Sequence, residues 1–436
     1  MSLKRKLLIL SIILGCAVAA VALMGVFFYK SYLAPLFAER ETPPALREAK
    51  TLVGAGFLTK SEFYAAGESS LWKDVSDPEK LKLKFDSIED MSVGQLDGQA
   101  GLDVGLAGRF GMTILDAEGN LRKRIDYQFE KGEIKIGPLK TERAKNIFHN
   151  IRVVDVEGDG LCEILGFGGI DGAALFSHEG RVLFNRGEHQ EGQPSIREVA
   201  AGDIDGDGKL EFVASWGHDQ WSLELFDRFG SSKWRREEEF PHGQMELFDL
   251  NGDGKAEIVE AGGDELKIRD AQGKVMSSAS MPLYLSYLSL CPRPDGRGAL
   301  QNLAVKEGRL ALIDLDGKNF SNFEAPLSKI KLEKPREFTA PGMPDPIVFD
   351  TEEVYRAKGA WVRLRKDQPE YLAVVARFAV IERSLFYVYD EHGKLLYHEI
   401  LPEAANAVAA LSTENDKESE VILVAGEKTV WRYAAR

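Results

Sequence analysis

Three nearly identical nine-residue stretches decide the fold: DVEGDGLCE (155–163), DIDGDGKLE (203–211) and DLNGDGKAE (249–257). They begin 48 and then 46 residues apart, and residues with high strand propensity follow each of them. About 15–20 residues beyond each start comes a strand, a polar turn with glycine and another strand. One repeat therefore contains four strands in about 45 residues, which is typical of one blade of a β-propeller.

Weaker copies of the repeat extend it in both directions. They are found in 96–119, 294–317, 359–401 and 405–436. Together with the three strong copies they predict an all-β chain with seven four-stranded blades. Six or eight blades stay open as alternatives, because residues 327–358 are proline-rich and irregular.

The last copy ends after its third strand, so a segment from elsewhere is needed to complete it. In residues 81–85, Leu81, Leu83 and Phe85 alternate with charged residues, the period of a half-buried strand. We expect this segment to pair with the last blade, because a closed ring leaves no incomplete blade at the junction.

The N-terminal region is predicted to hold a membrane anchor. A basic cluster, Lys4 to Lys6, precedes an apolar run from Leu7 to Tyr29. Such a run forms roughly 35 Å of helix, enough to cross a bilayer, and the basic cluster predicts a cytoplasmic N terminus and an extracytoplasmic body. A signal peptide cleaved near 20–22 and a lipoprotein modified at Cys16 are the alternatives, and each also exports the body.

Three regions follow from these patterns. Residues 1–30 are a cytoplasmic stub and transmembrane helix, 31–80 are a stalk with a short helical region, and 81–436 are the propeller. The helical prediction covers 45–66, where the apolar spacing is amphipathic and Thr59 and Glu62 have the spacing of a capping box.

Composition and charge exclude two classes of protein. A hydrophobic content of 44% with 28% charged residues is that of a globular chain, not a disordered one. A net charge of −14 argues against nucleic acid as a partner, because phosphate binding needs clustered Lys and Arg. Cys162 and Cys291 lie far apart in apolar contexts, which predicts two small core residues and no disulfide framework.

The nine-residue stretches have the chemistry of a site for a hard cation. Acidic or amide side chains stand at positions 1, 3, 5 and 9, and glycine at position 6 permits a sharp turn, so that alternate side chains converge on one point. An EF-hand is a poor alternative, because the flanking residues favour strands and only the third loop has an acid, Glu260, at position 12. A second alternative is a hairpin built on Asx turns that holds no ion.

Because these DxDxDGxxE loops recur in four-strand units, the chain resembles the FG-GAP/VCBS repeats of integrin-α-like propellers over roughly 91–436. In that family the loops bind calcium between the first two strands of a blade. The resemblance implies about three structural Ca²⁺ ions, with these ligands: Asp155, Glu157, Asp159 and Glu163; Asp203, Asp205, Asp207 and Glu211; Asp249, Asn251, Asp253 and Glu257. Glu157 replaces the usual Asp or Asn, so the first site is expected to be weaker. The copies at 95–103 and 293–301 keep too few acids and are predicted not to bind metal.

A partner-binding surface is predicted on the face opposite the acidic loops. Loops that follow the second strand of neighbouring blades place six candidate residues there: Asp171, Trp216, His218, Asp219, Trp221 and Asp264. The alternative for the two tryptophans is that they pack between blades. Aromatic side chains and histidine on such a surface are suited to a protein or glycan partner.

Local sequence motifs of catalysis are absent: the chain contains no GxSxG, HExxH or GxxxxGK[ST] pattern. The sequence therefore favours a membrane-anchored, extracytoplasmic, calcium-binding propeller (periplasmic or on the cell surface) that acts in adhesion or as a binding scaffold for a protein or glycan. Two alternatives remain: a carbohydrate-active enzyme outside the cytoplasm, and an accessory subunit of an envelope complex.

Overall fold

A computed structural model of the chain describes most of the residues after 41. The described segments are 42–66, 87–108, 111–125, 133–136, 139–142, 148–168, 172–186, 195–217, 221–238, 244–262, 265–280, 287–291, 301–306, 308–313, 320–338, 347–378, 381–413 and 416–436. Within these segments the secondary structure is strands and one 3-10 turn at Pro44–Leu46. None of the helical structure there is long and apolar enough to cross a membrane. The predicted anchor, 7–29, lies outside the described residues.

The strands follow one another as antiparallel neighbours. In chain order they are β1 (Lys50–Val53), β2 (Leu58–Ala65), β3 (Ile88–Gly94), β4 (Asp103–Gly108), β5 (Gly111–Leu115), β6 (Leu121–Ile125), β7 (Glu133–Ile136), β8 (Leu139–Glu142), β9 (Asn150–Val154), β10 (Glu163–Phe167), β11 (Ala173–Phe176), β12 (Val182–Arg186), β13 (Ser195–Gly202), β14 (Glu211–Gly217), β15 (Trp221–Phe226) and β16 (Ser232–Glu238). They continue as β17 (Gln244–Phe248), β18 (Glu257–Gly262), β19 (Glu265–Arg269), β20 (Val275–Ser280), β21 (Tyr287–Cys291), β22 (Gln301–Lys306), β23 (Arg309–Ile313), β24 (Phe320–Phe323), β25 (Lys329–Phe338), β26 (Ile347–Val362), β27 (Tyr371–Phe378), β28 (Ser384–Tyr389), β29 (Leu395–Ile400), β30 (Ala405–Thr413), β31 (Asp416–Gly426) and β32 (Thr429–Ala435).

Seven sheets of at least four strands form within the described segments, as the repeat predicts. Blades 1 to 5 are β3–β6, β9–β12, β13–β16, β17–β20 and β21–β24; blade 6 is β26–β29; blade 7 is β30–β32 with β2. Blade 6 carries β1 as an additional strand on its outer edge, and β7 and β8 form a separate hairpin between blades 1 and 2.

The chain divides into two compact units. The larger, Ala45–Lys329 with Glu353–Arg436, contains the seven blades, with β26 of blade 6 from Glu353 onward. The smaller, Met1–Pro44 with Ile330–Glu352, is described in 42–44, 330–338 and 347–352, where β25 and β26 are neighbouring strands.

Each blade of the larger unit packs on the next, and the seventh packs on the first. Apolar clusters join blades 1 and 2, 2 and 3, 3 and 4, and 6 and 7. The backbone N–H of Leu290 donates to Gln244 Oε1 (3.1 Å) between blades 4 and 5, and Cys291 Sγ donates to the Gly359 carbonyl (3.4 Å) between blades 5 and 6. A further cluster that joins blades 7 and 1 closes the ring, so the larger unit is a seven-bladed β-propeller.

Burial follows from the position of a strand in its blade. All seven residues of β14 are buried, because a middle strand is covered by a neighbouring blade on each face. The outermost β6 is exposed in four of its five residues. Both described cysteines, Cys162 and Cys291, are buried thiols outside any disulfide, which confirms their prediction as core residues.

Blade 7 is closed by a different N-terminal segment from the predicted one. Strand β2, not residues 81–85, pairs with β32, from Leu58 opposite Ala435 to Ala65 opposite Thr429. Since β32 has β31 on its other side, both of its edges are filled. The prediction that an N-terminal strand closes the ring was right in principle, but it chose the wrong strand; residues 67–86 lie outside the described segments.

The helix predicted for 45–66 is wrong. The segment forms the 3-10 turn, β1 and β2 instead. Thr59 and Glu62, interpreted as a capping box, lie opposite Ala434 and Trp431 in the ladder with β32. An incomplete blade offers a row of unpaired backbone groups, and pairing with them outweighs a weak local helix preference.

Candidate metal-binding face

The three acidic loops lie side by side at one end of neighbouring blades. Each connects the first and second strands of its blade, in blades 2, 3 and 4. Backbone hydrogen bonds link the loops: Leu210 N–H donates to the Val156 carbonyl (3.0 Å), and Ala256 N–H donates to the Asp203 carbonyl (2.7 Å). The loops therefore form one continuous face of the propeller.

The aspartate at position 1 organises each loop. In the second loop Asp203 Oδ1 accepts the N–H groups of Gly206 (2.6 Å) and Asp207 (3.1 Å), and Oδ2 accepts that of Gly208 (2.8 Å). The other two loops repeat the same three bonds. Gly206 and Gly208 both have φ of +83°, a left-handed conformation that favours glycine. An ionised carboxylate offers about four acceptor positions, so a metal can still be bound.

The glutamate at position 9 is buried beneath each loop. Glu211 Oε2 accepts the N–H of Ile204 (3.1 Å), and Glu163 Oε2 accepts that of Val156 (3.0 Å). Burial raises the pKa of Glu163 and Glu211, and the aspartates of the same loop raise it further, against the effect of the backbone bond. Each site thus concentrates negative charge that a divalent cation would neutralise.

The second loop fits a calcium ion in spacing as well as in charge. One oxygen each from Asp203, Asp205 and Glu211 lie within 4.8 Å of one another. Two oxygens bound to the same calcium at 2.3–2.6 Å are separated by at most about 5 Å. The three side chains would hold the ion from positions 1, 3 and 9.

The other two loops differ from the second at position 3. Glu157 Oε1 is 2.9 Å from Arg228 Nε, and its Oε2 is 3.5 Å from Lys209 Nζ. Asn251 Nδ2 donates to Glu257 Oε1 (2.7 Å). A metal ion at 155–163 would compete with two cationic side chains for Glu157, and the weaker site expected from the sequence stays a prediction.

A protein cation fills the degenerate loop of blade 1. Arg122 Nη1 donates to Asp103 Oδ1 (2.8 Å), and Nη2 contacts Asp97 Oδ2. Asp97 and Asp103 are positions 3 and 9 of the loop 95–103, whose position 1 is Gln95. Burial opposes ionisation of Asp97, but hydrogen bonds from Arg122 and from the Gln99 N–H outweigh it, and the pKa of Asp97 is lowered. The guanidinium offsets the negative charge of this loop. That the loop binds no metal stays a prediction, as it does for the copy at 293–301, which lies mostly outside the described residues.

The predicted partner-binding face is described only at its two tryptophans. Trp216 is buried among apolar residues between blades 2 and 3, so its assignment to a surface is wrong and the packing alternative is correct. Trp221 is half-buried, with Arg197 over its ring at 5.4 Å. Asp171, His218, Asp219 and Asp264 lie outside the described residues.

The centre of the ring contains a charge network that sequence reasoning missed. Arg152 lies 3.4 Å from Glu198, 3.5 Å from Glu246 and 4.0 Å from Asp90, and Lys358 lies 2.7 Å from Asp90. These residues come from the innermost strands of five blades. Burial raises the pKa of Glu198 to about 7. No short motif signals such a cluster, because successive members are 46 to 112 residues apart in sequence.

Comparisons with known proteins find chains of similar structure but no matching family. No protein-family model and no curated protein matches the chain. The WD40 domain of Pan2 from Neurospora crassa is 10% identical, with a TM-score of 0.46 over 86% of this chain and 95% of that one. A structure of BBS1N in complex with ARL6DN, soaked with lead, is 10% identical, with a TM-score of 0.49 over 80% of this chain and 92% of that one.

Proposed function

We propose that this chain is an extracytoplasmic, calcium-loaded β-propeller of the FG-GAP/VCBS type that acts as an adhesion or scaffold module for a protein or glycan partner. An N-terminal helix, residues 7–29, anchors it in the membrane with the N terminus in the cytoplasm. Calcium has a structural role and stiffens the loop face. Nucleic acid is not a partner, because the body is strongly acidic.

The observation that carries the proposal is the repeated geometry of three neighbouring loops. Each has an aspartate that organises the turn, a buried glutamate and further oxygen ligands, and the second brings three ligand oxygens within the span of one calcium ion. Ring closure gives a rigid platform, and loops on a rigid scaffold are the usual place for binding.

Calcium is expected to stabilise the folded chain. An ion that binds only the folded state adds RT ln(1 + [L]/Kd), about 2.7 kcal/mol for one site at a hundred times Kd. Thermal unfolding of the full chain in detergent should therefore occur at a lower temperature in EDTA than in millimolar calcium. Mass spectrometry of the native protein should detect the bound ions.

Two variants separate metal binding from turn structure. Glu211→Gln keeps an acceptor for the Ile204 N–H but loses a charged ligand, so its stabilisation by calcium should be smaller. Asp227→Ala, in the turn between β15 and β16, removes the oxygen that accepts the N–H groups of Phe229 and Ser231 and should lower stability equally in calcium and EDTA. An unchanged melting curve in EDTA, with no bound metal, would contradict the calcium assignment.

Partner binding is tested with the full chain in detergent. The immobilised chain is exposed to envelope extract, and the chain is applied to a glycan array, each in calcium and in EDTA. The proposal expects a partner that is retained by the wild type only in calcium and is lost with Glu211→Gln. Retention of no protein and no glycan under either condition would contradict a binding module.

A further inference from the structure

The outer strands of five blades share a β-bulge. The pairing of the third and fourth strands shifts register by one residue at the same place in blades 1 to 4 and in blade 6. A bulge leaves one residue unpaired and redirects its side chain. The unpaired residues, in the order of the blades, are Arg122, Leu183, Lys233, Met276 and Leu396.

In blade 1 the bulge residue is the cation of the acidic loop. The guanidinium of Arg122 bridges Asp97 and Asp103, at loop positions 3 and 9. The guanidinium is charged in any case, and the hydrogen bond with Asp97 raises the pKa of Arg122 further. Positions 3 and 9 of the second loop, Asp205 and Glu211, are two of the residues whose oxygens converge within 4.8 Å.

Blade 3 places a second basic residue at the same bulge position. Lys233 lines one cleft together with Asp205 and Glu211. The bulge residues of blades 2 and 4, Leu183 and Met276, are uncharged and more than half exposed. Blades 1 to 4 thus differ in the chemistry of the residue at the bulge position.

We propose that the bulge residue of the outer strand decides whether the acidic loop of that blade takes an external divalent cation. Arg122 is the built-in cation of blade 1, and Lys233 weakens calcium binding in blade 3 without replacing the ion. The effect of Lys233 on calcium binding rests on the proposed function, whereas the role of Arg122 does not depend on it. A guanidinium has five donors in a planar fork and can bridge two carboxylates, whereas an ammonium is a point charge on a flexible stem.

The direct test replaces Lys233 in the full chain, once by arginine, which can bridge two carboxylates, and once by methionine, which carries no charge. Lys233→Arg should fill positions 3 and 9 as Arg122 does, so the variant should bind one calcium ion fewer than the wild type in native mass spectrometry. Lys233→Met should bind the same number of ions. Its affinity at this loop should rise on the order of tenfold, because one positive charge near a divalent ion is removed.

Stability in EDTA tests the built-in cation without calcium. Arg122→Met leaves Asp97 and the buried Asp103 without their cation, so its Tm should fall by about 3 °C or more. Arg181→Met removes an exposed partner of Glu179 and is the matched control, with an expected shift below about 1 °C.

The outcomes separate the inference from the proposed function. A wild type that binds no calcium contradicts the proposed function, and the Arg122 experiment still decides the built-in cation. Full calcium stoichiometry in Lys233→Arg would overturn control by the bulge residue. Equal Tm shifts for Arg122→Met and Arg181→Met would overturn the role of Arg122.

Discussion

Replacing Glu399 with alanine is expected to destabilise the propeller by about 3 kcal/mol, because three polar groups then lose the carboxylate that accepts their hydrogen bonds. The side chain is 6% exposed, and the residue lies on β29 of blade 6. Its loss leaves the Lys60 ammonium without its carboxylate, and Lys60 belongs to β2, the strand that closes the ring. Urea unfolding of wild type and variant measures the difference.

The size of the effect follows from the number of groups that share this carboxylate. Glu399 Oε1 accepts from Lys60 Nζ at 2.5 Å, and Oε2 accepts from the hydroxyls of Tyr397 (2.8 Å) and Tyr433 (3.0 Å). Tyr433 belongs to blade 7 and Lys60 Nζ lies 4.6 Å from the ring centroid of Trp431. One anion therefore connects blade 6, blade 7 and the closing strand, and without it three polar groups lose an acceptor.

A double-mutant cycle isolates this connection. Lys60→Met and Glu399→Gln should together cost less than the sum of the single substitutions, because each removes the same pair. The matched control is Glu179→Gln, which breaks an exposed pair with Arg181 and should change stability by about 1 kcal/mol or less. Additive single effects, or a Glu399→Ala loss no greater than the control, would show that the pair does not hold the closing strand.

The seven blades were predictable because each repeat carries its own signal. A nine-residue loop and a glycine turn mark two of the three connections within a blade, and they recur at nearly constant spacing. The closing strand carried no such mark. In β2 the pairing with β32 shifts register between Glu62 and Tyr64, and this bulge interrupts the two-residue period of burial. The two buried residues of the strand, Leu58 and Phe63, are therefore separated by an odd number of positions. That irregular pattern resembles a helix more than a strand.

The acidic loops were predictable as cation sites for the same reason, but their differences were not. Arg122 and Lys233 lie 19 and 22 residues beyond position 9 of their loops, since the connections between them differ in length. Their relation to the loop depends on a one-residue shift in strand pairing, which no local pattern reports. The burial of Trp216 likewise depends on the neighbouring blade, and a sequence near a strand end cannot distinguish it from an exposed residue.

The second large effect concerns pH and His398. This residue on β29 is fully buried, stacks on Tyr387 at 4.6 Å and pairs across the ladder with Val53 of β1. Among the described residues neither ring nitrogen has a hydrogen-bond partner, and burial lowers the pKa to about 4. In the unfolded chain the histidine pKa is near 6.5, so below that pH the unfolded state binds a proton that the folded state does not. The free energy of unfolding therefore has its full value above pH 6.5 and falls as the pH is lowered toward 4. The loss amounts to about 3 kcal/mol.

Unfolding of the wild type and His398→Phe at pH 7 and pH 4 isolates this contribution. Phenylalanine keeps the aromatic stack without a titratable group, so the variant should gain about 3 kcal/mol relative to the wild type between the two pH values. Any constant cost of fitting the larger ring cancels in this comparison, as do carboxylates common to both proteins. His392→Phe, at a side chain that is 83% exposed, is the control and should show no such gain. If the wild type and His398→Phe lose the same stability between pH 7 and pH 4, the prediction is wrong. The protonated imidazole then finds a partner in the folded chain, and the pairing of β1 with β29 does not depend on a neutral histidine.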